Sequence, residues 1–405
     1  MLRGLFFILF SMVLTQVSTA QTKTWNGGAV DDYQDASKWL PAGVPTAGDV
    51  IIFNTPGNVI VTNVPNTSIA AININGTSLV TFITNSSTNV LTLTAATPLI
   101  YTTAGTILAG DLLTIALSSA ASFTMSSGTL GIAPSSGGKI LINGALTLAG
   151  GTLAFDVVGT GGATISGTGS VTYVSGIFNS SNITAITWNN GSNYNHAADG
   201  SFASSIPISN WVSGSNCNII GMNSGTVAPA GFTNVSFSNL TWNCPAQSGN
   251  VDLDFGGNPV NISKNFTVTS TGSGTVRISG TGSSVINVSG NYTQGGGRIA
   301  LQSSTGTTNL NIAGNFTHTG GTIDFVSAAS AGGTATLNVQ GGLKKAATWS
   351  STSTNVNSKM TIQFSGNSTQ VVDISGTWNA PGGGTCNILN SNNGGAGVSL
   401  NSGSL

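Results

Sequence analysis

Two copies of one pattern follow each other between Val285 and Phe325. The first runs Ile286-Asn287-Val288-Ser289-Gly290-Asn291-Tyr292-Thr293 and closes on Gly296-Gly297-Arg298-Ile299. The second runs Leu310-Asn311-Ile312-Ala313-Gly314-Asn315-Phe316-Thr317 and closes on Gly320-Gly321-Thr322-Ile323. Self-similarity at a period of about 20 to 50 residues marks a solenoid, a propeller or an array, because one such unit cannot bury its apolar face alone. The pattern continues on both sides. Val260-Asn261-Ile262-Ser263-Lys264-Asn265-Phe266-Thr267 carries Lys at the Gly position, and Leu337-Asn338-Val339-Gln340-Gly341-Gly342-Leu343 carries Gly at the Asn position. Successive copies thus begin at Val260, Ile286, Leu310 and Leu337, a drift that suits coils of slightly unequal length. The stretch from Ile140 to Phe155 aligns without a gap to that from Leu310 to Phe325.

Between the copies the chain reads as short strands. Val59-Ile60-Val61, Ala71-Ile72-Asn73-Ile74 and Val90-Leu91-Thr92-Leu93 are such stretches, with Gly, Ser, Thr and Asn between them. Period-two alternation bounded by turn residues is the strand signature. The spacing predicts an all-β chain folded as a right-handed parallel β-helix, a solenoid with coils of about 23–27 residues and an N-terminal cap. Phe266, Tyr292, Phe316 and Leu343 occupy one equivalent position and are expected to stack inside. Asn265, Asn291 and Asn315 are expected to stack at a corner, bonding the backbone of the neighbouring coil. Gly290 and Gly314 are expected to supply left-handed turns. About 385 residues at about 25 per coil make roughly 15 coils, a rod of roughly 70 Å at about 4.8 Å per coil.

Composition agrees. Charged residues are 5% of the chain, against about 25% in ordinary soluble domains. All eleven acids are Asp. Scarce Glu, Lys and Arg disfavour helix, and abundant Thr, Val and Ile favour strands. A net charge of −1 gives no basic footprint for nucleic acid; Lys344-Lys345, the one adjacent basic pair, reads as two solvated lysines at a turn. Arg3, the apolar run from Leu5 to Val17 and Ser18-Thr19-Ala20 have the layout of a signal peptide over residues 1–20, with cleavage before Gln21 and no later membrane span. Cys217 and Cys244 lie about one coil apart. They read either as a bridge between adjacent coils or as two small buried hydrophobes. Cys386 has no visible partner.

Residues 21–54 form the cap segment. Trp25-Asn26-Gly27, Ala36-Ser37-Lys38-Trp39, Gly43-Val44-Pro45-Thr46-Ala47-Gly48-Asp49 and Val50-Ile51-Ile52-Phe53 resemble the opening of many bacterial surface and adhesin-like proteins. A first coil lacks a neighbour on one side, so Trp25 and Trp39 read as its cover; the rival reading is a sugar-stacking platform. Coils follow over 55–178. Residues 179–260 are a less regular Trp/Cys module within the solenoid, and GN(F/Y)T coils occupy 261–373. Tyr194-Asn195-His196, Trp211, Cys217 and Thr241-Trp242-Asn243-Cys244-Pro245, followed by those coils, resemble a module of large Bacteroidota surface proteins exported by type IX secretion. Residues 374–405 read as the start of a further module, because Trp378 and Cys386-Asn387-Ile388 echo Trp211 and Cys217-Asn218-Ile219; the chain reads as a fragment lacking the C-terminal sorting domain.

Chemistry-bearing residues are sparse. Asp252 and Asp254 alternate onto one side of a strand and read as a Ca²⁺ or acid/base pair, or as two solvated carboxylates. Asp31, Asp32 and Asp35 cluster without the spacing of a calcium loop. His196 and His318 stand far apart in the chain, with no metal-ligand spacing. Gly280-Thr281-Gly282 opens no helix, so phosphate binding is unsupported. No catalytic, cofactor-binding or metal residue is assigned. The expectation is a secreted, non-enzymatic, adhesin-like surface solenoid that meets extracellular polysaccharide or a host or cell surface. The alternative is a carbohydrate-active β-helix enzyme or sugar-binding module, with Trp188, Trp211 or Trp242 lining a groove beside Asp252.

Overall fold

A computed structural model describes residues 20–101, 104–134, 137–155, 161–180, 182–200, 206–253, 258–280, 282–327, 332–379, 384–392 and 397–402. Residues 1–19, which hold nearly all of the expected signal peptide, Asp254 and Thr281 lie outside the described residues. The described chain is nearly all-β, about 1% helical, and forms a parallel β-solenoid of about 14 turns. At about 4.8 Å per turn this spans about 67 Å.

Alternation makes each rung. Thr334–Val339 is Thr-Ala-Thr-Leu-Asn-Val, with Ala335, Leu337 and Val339 buried and Thr334, Thr336 and Asn338 turned outward. Apart from Trp39–Leu40 in the cap, the strands pair in parallel with the equivalent segment one coil away, and the pairs line up on three faces. The first face runs upward from Ser122–Met125 through Asn193–His196, Asn216–Ile219 and Asn239–Asn243 to Phe266–Ser270, Tyr292–Gln294 and Phe316–His318. The second carries Val276–Ser279, Arg298–Gln302 and Thr322–Val326. The third carries Ser284–Val288, Thr307–Ile312 and Thr334–Val339. Two long strands, Ala145–Ala154 and Ser170–Asn179, turn the corner from the first face to the second, so the two faces share one ladder there.

The interior is a set of side-chain stacks. Phe266, Tyr292, Phe316 and Leu343 are in register and buried, as the repeat predicts. Tyr292 and Phe316 stack with ring centroids 5.1 Å apart, and Phe266 meets Tyr292 edge-on at 5.4 Å. The left-handed turns fall elsewhere than expected. Gly297 and Gly321 carry the positive φ, +72° and +77°, just before the second-face strands. Gly290 and Gly314 are required for closeness instead: a Cβ on Gly314 would lie 2.5 Å from both Asn291 Oδ1 and Gly290 O.

The cap is an aromatic plug. Trp25 and Trp39 are buried and meet edge-on at 4.8 Å, with Tyr33 and Phe53 beside them. Trp39 donates its indole N–H to the Tyr33 carbonyl at 2.9 Å. Trp39–Leu40 pairs antiparallel with Thr22–Trp25 and covers the edge of the first rung, which removes an open pairing template. Asp49 of the Gly-x-Pro-x-x-Gly-Asp motif is buried and accepts the backbone N–H of Gln21 and of Thr46, each at 2.8 Å. That motif therefore staples the chain start to the first full coil. Buried indoles cannot serve as a sugar platform.

Candidate functional site

A pair of uncharged columns runs along the outside of the first face. One column is Asn193, Asn216, Asn239, Asn265, Asn291 and Asn315, on successive coils. The backbone N–H groups of Asn291, Asn315 and Gly342 donate to the side-chain oxygen one coil below at 3.0, 2.8 and 2.8 Å. Asn239 donates its side-chain amide to Asn216 Oδ1 at 3.2 Å. Two residues along each strand runs the second column: Thr124, Thr147, Thr172, Asn195, Asn218, Thr241, Thr267, Thr293 and Thr317. A third amide column, Asn261, Asn287 and Asn311, laces the third face with side-chain bonds of 3.0 and 2.9 Å. The repeat contains the third-face column, but of the first-face Asn column it reveals only Asn265, Asn291 and Asn315. The earlier members carry the same signal, an Asn before a large apolar residue (Asn193-Tyr194, Asn216-Cys217, Asn239-Leu240), but at a shorter spacing.

The irregular stretch 179–260 keeps this first face intact; its irregularity lies on the second face, where among the described residues no named strand falls between Ser170–Asn179 and Val251–Asp252. Asp199 replaces part of the ladder there. Its carboxylate accepts the N–H of Asn223, Ser224 and Gly225 from the next coil at 2.8, 3.1 and 3.1 Å. Trp188, Trp211 and Trp242 all point into the core and line no groove beside Asp252. Trp188 stacks on Trp211 at 5.1 Å and donates to Ser209, and Trp242 donates to Gln247.

The cysteines do not bridge. The coil that begins at Cys217 is shorter than the cysteine spacing, so Cys217 is in register with Leu240 rather than Cys244. Both are free, buried thiols, and Cys244 donates to the Ile219 carbonyl. Burial pushes the Cys244 thiol up to about 11 and the Cys217 thiol higher still. The sequence echo near the end also changes faces. Trp211 is on the third face and Cys217 on the first, whereas Trp378 is on the second and Cys386, exposed, on the third.

Asp252 is outward, but it is not simply solvated. It is in register with Arg277 and binds it side-on, Nε to Oδ1 at 2.5 Å and Nη2 to Oδ2 at 2.9 Å. Sequence reading missed the partner because it comes from the next coil. A second cross-coil pair joins Arg298 to the fully buried Asp324 at 2.7 Å, where Thr352 also donates its hydroxyl to the carboxylate at 3.2 Å. The N-terminal acids diverge: Asp31 pairs with Lys38 at 3.0 Å, Asp32 accepts from Asn63, and Asp35 caps the short helix at Ala36–Lys38. Among the described residues no three His, Cys, Asp or Glu side chains group to hold a metal ion.

Both histidines are interior. Tyr194 OH and His196 Nδ1 are 3.0 Å apart. His318 Nδ1 accepts the indole N–H of Trp349 at 3.1 Å, which places the proton of the neutral ring on Nε2. Burial pushes each histidine down to about 4, helped at His318 by the neighbouring Lys345 charge. Lys344 is exposed, but Lys345 is buried, contrary to the expectation of two solvated lysines. Strand alternation turns it inward with Leu343, and its ammonium donates to the carbonyls of Ala347, Ser375 and Thr377 at 3.0, 2.7 and 3.0 Å.

No helix among the described residues is long and apolar enough to cross a membrane. Comparison with family models, with curated proteins and with solved structures finds no match.

Proposed function

We propose that this chain is a non-enzymatic, adhesin-like structural protein, secreted and held at the outer cell surface, where its flat polar faces meet extracellular polysaccharide or another cell. The observation that carries this reading is the pair of Asn and Thr columns along the first face. Asparagines bonded from coil to coil, with threonines in register beside them, present one chemical surface many times over. A repetitive surface suits a repetitive partner, because many weak contacts in series multiply into firm attachment. Export is supported by the signal-peptide layout of Arg3, the run from Leu5 to Val17 and Ser18-Thr19-Ala20. The Bacteroidota type IX assignment rests on the resemblance in the cap motif and in the Trp/Cys module.

Protease shaving of intact cells tests the display, and incubation of the purified chain with polysaccharides tests the chemistry. Release of the protein from intact cells, with polysaccharide retained but not shortened, is the expected result. Confinement of the protein inside the cell, or turnover of polysaccharide, contradicts it. One observation favours the second reading, a carbohydrate-active enzyme: the Asp252–Arg277 pair stands on the outer side of a β-helix face. On that reading Asp252→Asn abolishes product release.

A further inference from the structure

We propose that the second face carries a binding site for an acidic glycan, built by Arg277 and Arg298. The chain has three arginines, at positions 3, 277 and 298. The latter two, on consecutive coils, line a single cavity of about 300 Å³. Arg277 is in register with Ala300, and Arg298 lies two residues before Ala300 on the same strand. Ala300, itself buried, stands in a register column that otherwise reads Asp252, Arg277, the buried Asp324 and the buried Ser350. Ala300 contributes only a methyl to the lining of the recess, and the two arginines wall it.

Each guanidinium in the recess is balanced by a carboxylate that stands behind it. Asp252 and Asp324 hold the two guanidiniums, yet neither carboxylate lines the cavity. Each guanidinium carries five N–H donors, and these ion pairs occupy only part of them. Arg298 keeps 46% of its side chain exposed. A planar guanidinium already fixed by a carboxylate loses little further freedom when it meets a second oxyanion. The recess therefore presents two oriented cations without a lining acid.

The remaining wall specifies more than an anion. Asn250, Ser273, Thr275 and Ser327 supply an amide and hydroxyls around the arginines. Hydroxyls and an amide recognise sugar hydroxyls, while guanidinium recognises carboxylate or sulfate. The volume sits at the small end of ligand pockets, the scale of a sugar unit rather than of a protein segment. The shared chemistry is an oxyanion carried on a polyhydroxylated ring. This site goes beyond the display role proposed above, and its test uses purified chain, so either can fail while the other stands.

The test is calorimetric titration at low salt with four probes: an oligogalacturonate, a sulfated oligosaccharide, a neutral cello-oligosaccharide and inorganic sulfate. At least one acidic saccharide is expected to bind about tenfold or more tightly than the neutral one and than inorganic sulfate, as charge-assisted hydrogen bonds allow. Arg277→Gln is expected to weaken that binding about tenfold. Because loss of an arginine also breaks a cross-coil pair, Ala300→Leu provides the second variant: it fills the recess with both ion pairs in place and is expected to abolish binding. Binding that survives Ala300→Leu, equal affinity for the neutral saccharide or for inorganic sulfate, or no binding by either acidic saccharide overturns the assignment.

Discussion

The backbone N–H of Asn315 donates to Oδ1 of Asn291, one coil below, at 2.8 Å. Asn291 in turn donates its own N–H to Asn265 at 3.0 Å. Asn265, Asn291 and Asn315 thus each accept from the coil above and donate to the coil below, so one residue type ties both sides of this corner. Asn291→Ala removes the acceptor and is expected to cost about 1 kcal/mol. Asn291→Asp keeps an acceptor and is expected to cost less. Chemical denaturation of the two variants checks the order.

Glycine at the same corner is required for space. Gly314→Ala would push a methyl against Asn291 Oδ1 and the Gly290 carbonyl, each 2.5 Å away, whereas a Cβ on Gly295 meets nothing within 4 Å. Overpacking against backbone costs about 1–3 kcal/mol. Thermal unfolding is expected to show a clear fall for Gly314→Ala and almost none for Gly295→Ala.

How far these relationships are legible in the sequence depends on spacing. Asn265, Asn291 and Asn315 announce themselves because each precedes Phe or Tyr within nearly identical octets. Asn193, Asn216 and Asn239 do the same work, but their coils share little else. The spacing of Cys217 and Cys244 matches the later coils and misleads, because the coil that holds Cys217 is shorter and sets Leu240 beside it. Arg277 and Asp252 are distant in sequence and adjacent in space; only the register joins them. Lys345 follows alternation into the core, and three carbonyls make that burial tolerable.

The thiols separate by depth. Cys217 and Cys244 are buried and free while Cys386 is exposed. A thiol reagent at pH 8 is expected to modify Cys386 alone in the native protein and all three after denaturation. Mass analysis of non-reduced peptides that found a Cys217–Cys244 bridge would contradict the register of this region.

Acid is expected to weaken the fold in a definite window. His196 and His318 have folded pKa values of about 4 against about 6.5 unfolded. Above pH 6.5 both are neutral in either state and the stability is fully present. As pH falls from about 6.5 to about 4 the unfolded chain binds protons that the folded chain refuses, so stability falls, on the order of 3 kcal/mol per histidine. Asp31 and Asp199, whose carboxyls are held below the usual range, begin to lose their contribution near the lower end of that window and go on losing it below. Denaturant midpoints at pH 7, 5.5 and 4.5 check this; His196→Gln with His318→Gln is expected to flatten the slope.

The claim under all of these is that one polar column runs unbroken up the first face. Thr172 and Thr317 stand in that column six coils apart, linked by the registers through Asn195, Asn218, Thr241, Thr267 and Thr293. Spin labels on Thr172→Cys and Thr317→Cys, with Cys386→Ser as background, measure the separation by pulsed electron resonance. Six steps of about 4.8 Å predict a narrow distribution near about 29 Å, broadened only by the label linkers. A broad distribution, or one centred well away from that value, would contradict the stacked column.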